Sequence, residues 1–251
     1  MILAGSLRHF RTRTMKIIKF AVMQPYFMPY IGYFQLMHAV DKFIIYDNIE
    51  FTKKGWMNRN RILMNGEPQY FTVNLEKGSD YAMVNERKIS PVFVKERRKI
   101  LAKTEANYRK ASFYEETFPL IKECIECSEE NLFDFIYSSI VKVNRHIGIE
   151  TELIISSRLP IDHSLKNKYK LWVLSEHLHI QDYINPAGGM ELYGKEEFAE
   201  NGMNLMFHRA NLSVYPQVGA NVFFPALSIV DMLMNLGKEG THQQLKDFSL
   251  L

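Results

Sequence analysis

Residues 19–48 read KFAVMQPYFMPYIGYFQLMHAVDKFIIYDN, and this stretch decides the fold. Phe20, Ala21, Val22 and Met23 make an apolar run of strand length that breaks at Pro25 and Pro29, where the chain enters a helix at Tyr30-Ile31-Gly32-Tyr33. A second apolar run, Phe43-Ile44-Ile45-Tyr46, is capped by Asp47. Strand, helix and strand in so short a space form half of a nucleotide-binding α/β unit.

Outward from this unit, the segment FTKKGWMNRNRILMNGEPQYFTVNL reads as two strands about an Asn65-Gly66 turn, because Asn-Gly tolerates the positive φ of a tight hairpin. Arg61 and Tyr70 then lie near one another across it. From about residue 92 to 147 the apolar spacing changes to three and four, which predicts helices inserted between halves of the sheet. The α/β rhythm returns with a strand over 152–157, a helix over 169–178, a strand over 182–185, a helix stopped by Gly202, a strand over 204–207 and a closing helix stopped by Gly237. Short links between these elements demand right-handed crossovers and a parallel sheet. The expected class is α/β, a Rossmann-like, nucleotidyltransferase-like parallel sheet with a β-hairpin and a helical insertion.

At 251 residues the chain can bury a full core, and an ordinary domain size of about 100–200 residues favours one domain with an insertion. We place that domain at 15–251. Residues 1–14, whose short apolar start lacks the core and cleavage site of a signal peptide, read as an extension outside it, with Met15 and Lys16 opening the first strand. An apolar share of 47% with 24% charged residues excludes disordered and collagen-like classes. No run reaches the roughly 18 apolar residues a bilayer span requires, so no membrane span and a cytoplasmic location are expected. A net charge of +3 is too mild to call for a nucleic-acid partner. Cys124 and Cys127 stand as CxxC without a second ligand pair, and the histidines share no metal-ligand spacing, so no metal site is expected.

Ligands of open parallel sheets sit beyond the carboxyl ends of the strands. The residues there are 24–33, 47–54, 156–158, 185–189 and 208–209, polar and glycine-bearing, unlike the strands feeding them. Tyr30-Ile31-Gly32-Tyr33 resembles, in position and spacing, the HxGH signature of the nucleotidyltransferase and class I aminoacyl-tRNA synthetase superfamily, with both histidines replaced by tyrosine. A phenol donates one hydrogen bond but carries no charge at neutral pH, which weighs against adenylate chemistry. Lys53, Lys54, Arg59 and Arg61, interleaved with Trp56, Asn58 and Asn60, offer phosphate donors and a stacking face, or else a solvated hairpin edge. Gly188 and Gly189, after Asn185, expose backbone N–H groups to an oxyanion, or serve only as a turn. Asp47 is the best-placed acid, and Asp231 is an acid within an apolar helix that needs a partner.

Together, MQPYFMPYIGYFQLMHAVDKFIIYDN, KKGWMNRNRIL, INPAGGMELY and FPALSIVDMLMNLG look like the WbqC-like protein family, over about 16–237. The resemblance departs where the family commonly has two acids and this chain has Asp47-Asn48, and where a Gly-Pro-Gly-Gly turn is replaced by Pro186-Ala187-Gly188-Gly189. It implies handling of a nucleotide-linked sugar in bacterial O-antigen or capsule synthesis, by transfer of an acyl or amino-acyl group such as glycine to an amino sugar. On that reading Asp47 and Tyr33 are the catalytic pair, and Gln24, Tyr26, Tyr30 and Gly32 shape the acceptor pocket. Lys54, Trp56, Asn58, Arg59 and Arg61 hold the sugar diphosphate, and Asn185, Gly188 and Gly189 bind the acyl oxygen or phosphate. The partners are then a nucleotide-linked sugar and an acyl or amino-acyl donor, and the cofactor is left open, with ATP and Mg²⁺ as candidates. The alternatives are an ATP-dependent amino-acid adenylating ligase and a non-catalytic nucleotide-sugar binder. All three require Tyr33, Asp47, Arg61 and Gly189 to meet at one rim.

Overall fold

Alternation of apolar side chains along three neighbouring strands sets the layers of the structure. The computed structural model describes residues 17–251, so the expected extension over 1–14 and the strand opening at Met15 and Lys16 lie outside the described residues. β1 (Lys19–Met23), β2 (Lys42–Ile45) and β6 (Asp182–Pro186) send Ala21, Phe43, Ile45 and Ile184 to one face and Phe20, Ile44 and Tyr183 to the other. A period of two buries both faces only if helices cover each.

They do. The larger core takes α1 (Ile31–His38), α2 (Phe93–Tyr108), α3 (Tyr114–Ile125), α4 (Leu132–Ile147) and α7 (Ile229–Gln244). The smaller takes α5 (Asn167–Leu178) and α6 (Lys195–Glu200). The remaining strands are the hairpin pair β3 (Arg59–Met64) and β4 (Glu67–Thr72), then β5 (Glu152–Ile155), β7 (Asn204–Ala210) and β8 (Phe248–Leu250). The sheet order is β5-β2-β1-β6-β7-β8, parallel throughout except at β8. β8 was not foreseen: at three residues it carries too little pattern to read, and its antiparallel pairing comes from the return of the chain along β7.

The expected hairpin forms, with Asn65 at φ 54° and Gly66 at φ 79°, and Arg61 faces Tyr70 across it. Helices α2 to α4 occupy the predicted interval between hairpin and β5, and α4 is capped by Asn131, whose side chain accepts from the N–H groups of Phe133 and Asp134. Gly237 lies in the left-handed region at φ 66° and breaks α7 in two; a Cβ there would strike the Phe113 ring at 2.3 Å. Among the described residues no helix is long and apolar enough to cross a membrane.

From β1 the chain moves outward to β2 and β5, then returns to β6 on the other flank of β1. The order therefore reverses between β1 and β6, and open α/β sheets leave a crevice at such a point.

Asp231 on α7 is fully buried yet faces no cation. Its Oδ1 accepts from the Tyr108 hydroxyl at 2.7 Å, and its Oδ2 from Tyr215 at 2.7 Å and Gln217 Nε2 at 2.8 Å. The Tyr108 oxygen in turn accepts the Leu63 N–H at 2.9 Å, so one carboxylate ties α7, α2, the hairpin and the loop before α7 together. Burial raises its pKa, against the lowering effect of the three donors.

His208 on β7 is buried beside Phe248 with its Nε2 unpaired, and burial depresses its pKa from 6.5 to about 4. The unfolded chain thus takes up a proton near 6.5 that the folded chain refuses until about 4, so stability falls as pH drops through that window. The loss should reach at most about 3 kcal/mol. Urea denaturation between about pH 7 and pH 5 measures it, and His208→Leu should flatten the slope; an unchanged slope in that variant would assign the effect to other groups.

Candidate functional site

The switch point between β1 and β6 opens into a cavity of about 390 Å³. Its walls are Val22, Met23, Gln24 and Tyr26 after β1, Tyr46 and Ile49 after β2, Tyr183, Asn185, Pro186, Gly188 and Gly189 at β6, Asn167, Lys170 and Leu171 of α5, and Leu192 and Tyr193. Three distant sequence segments foreseen at strand ends therefore meet at one crevice. Asn185 lies folded beneath Gly189, where an added Cβ would come within 1.9 Å of its Nδ2, whereas Gly188 faces open space. The Tyr183 hydroxyl donates to Asn185 Oδ1 at 2.8 Å and fixes that amide. The short 3₁₀ turn Ala187–Gly189 brings Gly188 and Gly189 to the crevice wall, and its carbonyl at Ala187 accepts from the Met190 N–H.

Lys170 is the cationic side chain of this wall, and it was missed in the sequence. It is only 3% exposed. Its Nζ lies 3.1 Å from His163 Nδ1 and 4.6 Å from the centre of the Tyr46 ring. His163 Nε2 sits 2.9 Å from the Leu159 carbonyl and donates to it, while Asn48 Nδ2 lies 2.9 Å from Nδ1. The Nδ1 lone pair is thereby shared between Asn48 and Lys170. Burial pulls the pKa of Lys170 down, against smaller upward effects of Asp47 and Asp162. The readable signal was a lysine sharing a helix face with Leu171 and Leu174 in YKLWVLSEHL.

Tyr26 also borders a second hollow of about 150 Å³, formed with Pro29, Tyr30, Trp56, Asn60, Arg61 and Ala226. Here the Arg61 guanidinium lies 5.5 Å from the Trp56 ring, and its buried Nε has no partner. Tyr30 enters because position 32 is glycine: a Cβ on Gly32 would lie 2.4 Å from the Tyr30 ring. Burial raises the pKa of Tyr26 and Tyr30, so both remain neutral donors at physiological pH.

Other expected site residues are turned to architecture. Tyr33 is buried and donates to the Gln24 carbonyl at 3.1 Å. Asp47 is 2% exposed: Ser157 donates its N–H to Oδ1 at 2.9 Å and its hydroxyl to Oδ2 at 2.5 Å, and Asn85 Nδ2 donates to Oδ2 at 2.9 Å. Neither Tyr33 nor Asp47 lines either hollow, so the rim expected of Tyr33, Asp47, Arg61 and Gly189 is divided. Asn58 holds the Val73 carbonyl at 2.9 Å. Arg59 donates to the Gly55 and Lys54 carbonyls and stacks on Tyr70 at 4.4 Å, Lys53 pairs with Asp80, and Lys54 sits on an exposed turn at φ 62°. Of the basic cluster, Arg61 alone faces a hollow. Cys124, buried on α3, has its thiol pushed up to about 12 and is unreactive.

The profile of the WbqC-like protein family matches residues 24–243, from the first strand end to the break in α7 and beyond. The chain is similar to the uncharacterized protein Rv1507c of Mycobacterium tuberculosis, with 29% identity over 227 residues that cover 88% of this chain and 95% of that protein. No solved structure matches.

The Gly32–Tyr30 contact makes a sharp prediction. Gly32 is the second residue of α1, so Gly32→Ala gains less than the roughly 1 kcal/mol of a helix-interior replacement, and with the Tyr30 ring displaced the melting temperature should hold or fall slightly. The Tyr30 ring must leave its place, which a crystal structure of the variant would show; an unmoved ring would contradict the contact.

Proposed function

This chain belongs to the WbqC-like protein family, and from that membership and the paired hollows we propose that it is a cytoplasmic transferase acting on a nucleotide-linked amino sugar in bacterial surface-polysaccharide synthesis. The supporting observation is the crevice between β1 and β6, where the motif residues Gln24, Tyr26, Asn185, Gly188 and Gly189 converge at the point of an open sheet where nucleotides bind. The nucleotide-linked end of the substrate occupies that crevice. The amino sugar reaches past Tyr26 toward Tyr30, Trp56 and Arg61, where an activated acyl or amino-acyl donor meets it. Sugar rings stack on indole faces, and Arg61 has an unpaired Nε to offer a carbonyl or phosphate oxygen.

In the reaction the sugar nitrogen attacks the acyl carbon, the C–N bond forms, and the bond to the donor's leaving group breaks. With a thioester donor the departing sulfur takes the proton that the amine sheds. Orientation dominates on this reading, since Asp47 and Tyr33 act through the segments they fix: Tyr33 sets Gln24, and Asp47 sets the end of β2 against the turn after β5.

One observation favours a second reading, a non-catalytic sugar-nucleotide binder. The carboxylate best placed for proton transfer, Asp47, is saturated by Ser157 and Asn85.

Mass spectrometry of the protein with candidate nucleotide amino sugars and acyl donors distinguishes the two. The expected result is a sugar nucleotide heavier by one acyl group, with Trp56→Ala and Arg61→Met each lowering kcat/KM by about tenfold or more. Tight binding without product across donors would establish the binder instead.

A further inference from the structure

Lys170 is a buried lysine whose immediate partners are an imidazole nitrogen and an aromatic ring. Its Nζ donates to His163 Nδ1 and rests over the Tyr46 ring, and no carboxylate stands within ion-pair distance of it among the described residues. Asp47 and Asp162, the two carboxylates whose fields reach it, are bonded elsewhere, Asp47 to Ser157 and Asn85 and Asp162 to Ser164. An enclosed cation with no carboxylate at ion-pair distance costs free energy that distant charges offset only in part, unless something else compensates it. Asn167, one turn earlier on the same helix, borders the same cavity, whose lining also includes Gly188 and Gly189.

We infer that the switch-point cavity is completed by an anion, and that Lys170 is the counter-ion of a phosphate group carried by the ligand. This rests on the sugar-nucleotide reading for the identity of the phosphate but not for its existence. His163 is the positioning residue. Its Nε2 donates to the Leu159 carbonyl, which orients the ring so that Nδ1 faces Lys170 Nζ at 3.1 Å. The assignment moves diphosphate recognition away from the hairpin, where Arg59 and Lys53 are already engaged, and leaves Arg61 to the reacting end of the substrate.

Calorimetric titration of the full chain with UDP, dTDP, ATP, their nucleosides and inorganic pyrophosphate tests it. Diphosphates should bind at least about tenfold more tightly than nucleosides, and Lys170→Met should remove that advantage while shifting nucleoside affinity less than about twofold. His163→Phe should weaken the same ligands by a smaller factor, and His163→Gln, which keeps an acceptor, should restore part of it. Diphosphate affinity unchanged in Lys170→Met, or no phosphate binding at all, overturns the inference. Should that variant fail to fold, a structure of the wild-type protein with pyrophosphate decides: phosphate oxygen at hydrogen-bond distance from Lys170 Nζ supports it, and phosphate elsewhere or absent overturns it. Lys170-dependent pyrophosphate binding without affinity for any sugar nucleotide would retain the anion site and remove the sugar-nucleotide reading. Acyl transfer that survives Lys170→Met but not Arg61→Met would do the reverse.

Discussion

The turn between β1 and α1 is the constraint on which the remaining architecture depends. Pro25 and Pro29 have no N–H to give, Met28 is held at φ 46°, and the carbonyls of this buried turn must still find donors. They find them far away in sequence. Asn60 on the hairpin donates to Phe27 at 3.1 Å and Met28 at 2.8 Å; Ser228 donates to Met28 at 2.7 Å; the Ile229 N–H donates to Pro29 at 2.9 Å. Leaving any such group unpaired would cost about 1–3 kcal/mol, so hairpin and α7 are drawn to the carboxyl edge of the sheet. The second hollow exists because Asn60, Tyr30 and Arg61 are brought to the same turn by these bonds.

Two buried acids do comparable work at either side of that turn. Asp231 joins α7 to α2 through tyrosine hydroxyls, and Asp47 joins the end of β2 to Ser157 and Asn85, whose own carbonyl accepts from Asn131 at the cap of α4. Neither needs a cation, because neutral donors of suitable number satisfy a carboxylate while keeping its charge local. Buried networks of this kind rigidify the scaffold around a cleft without occupying it. The cleft itself is then free to be lined by groups that hold a ligand.

Strand and helix order was legible because it rests on periodicity, and the alternation of Phe20, Ala21, Phe43 and Ile44 between two faces leaves little choice. Residues at strand ends were legible as a set, since the sheet geometry alone sends Gln24, Asn185 and Gly189 to one crevice. What each side chain does there was not. Asp47 reads identically whether it faces a ligand or Ser157, because the partner lies 110 residues away. Lys170 shows the converse: within YKLWVLSEHL it passes for one more solvated lysine until α5 is seen to turn that face inward. β8 escaped notice because its three residues pair only by virtue of where α7 delivers the chain.

The chemical character of the cleft follows from what lines it. Its tyrosines, Tyr26, Tyr46, Tyr183 and Tyr193, are all shifted by burial toward higher pKa, which keeps them protonated and fixed as neutral donors at physiological pH. Its buried lysine, whose pKa burial pulls down, lies against the His163 Nδ1 and the face of the Tyr46 ring. A wall of neutral hydroxyls with an embedded lysine suits the anion proposed above, and among the described residues its lining includes no carboxylate to remove a proton from a ligand. On the transferase reading proposed above, rate enhancement comes from holding reactants in register and from excluding water around their charged ends, where each hydrogen bond is worth more than in solution. A reaction suited to these means is one whose donor arrives already activated, so that the protein supplies geometry and the leaving group supplies the driving force.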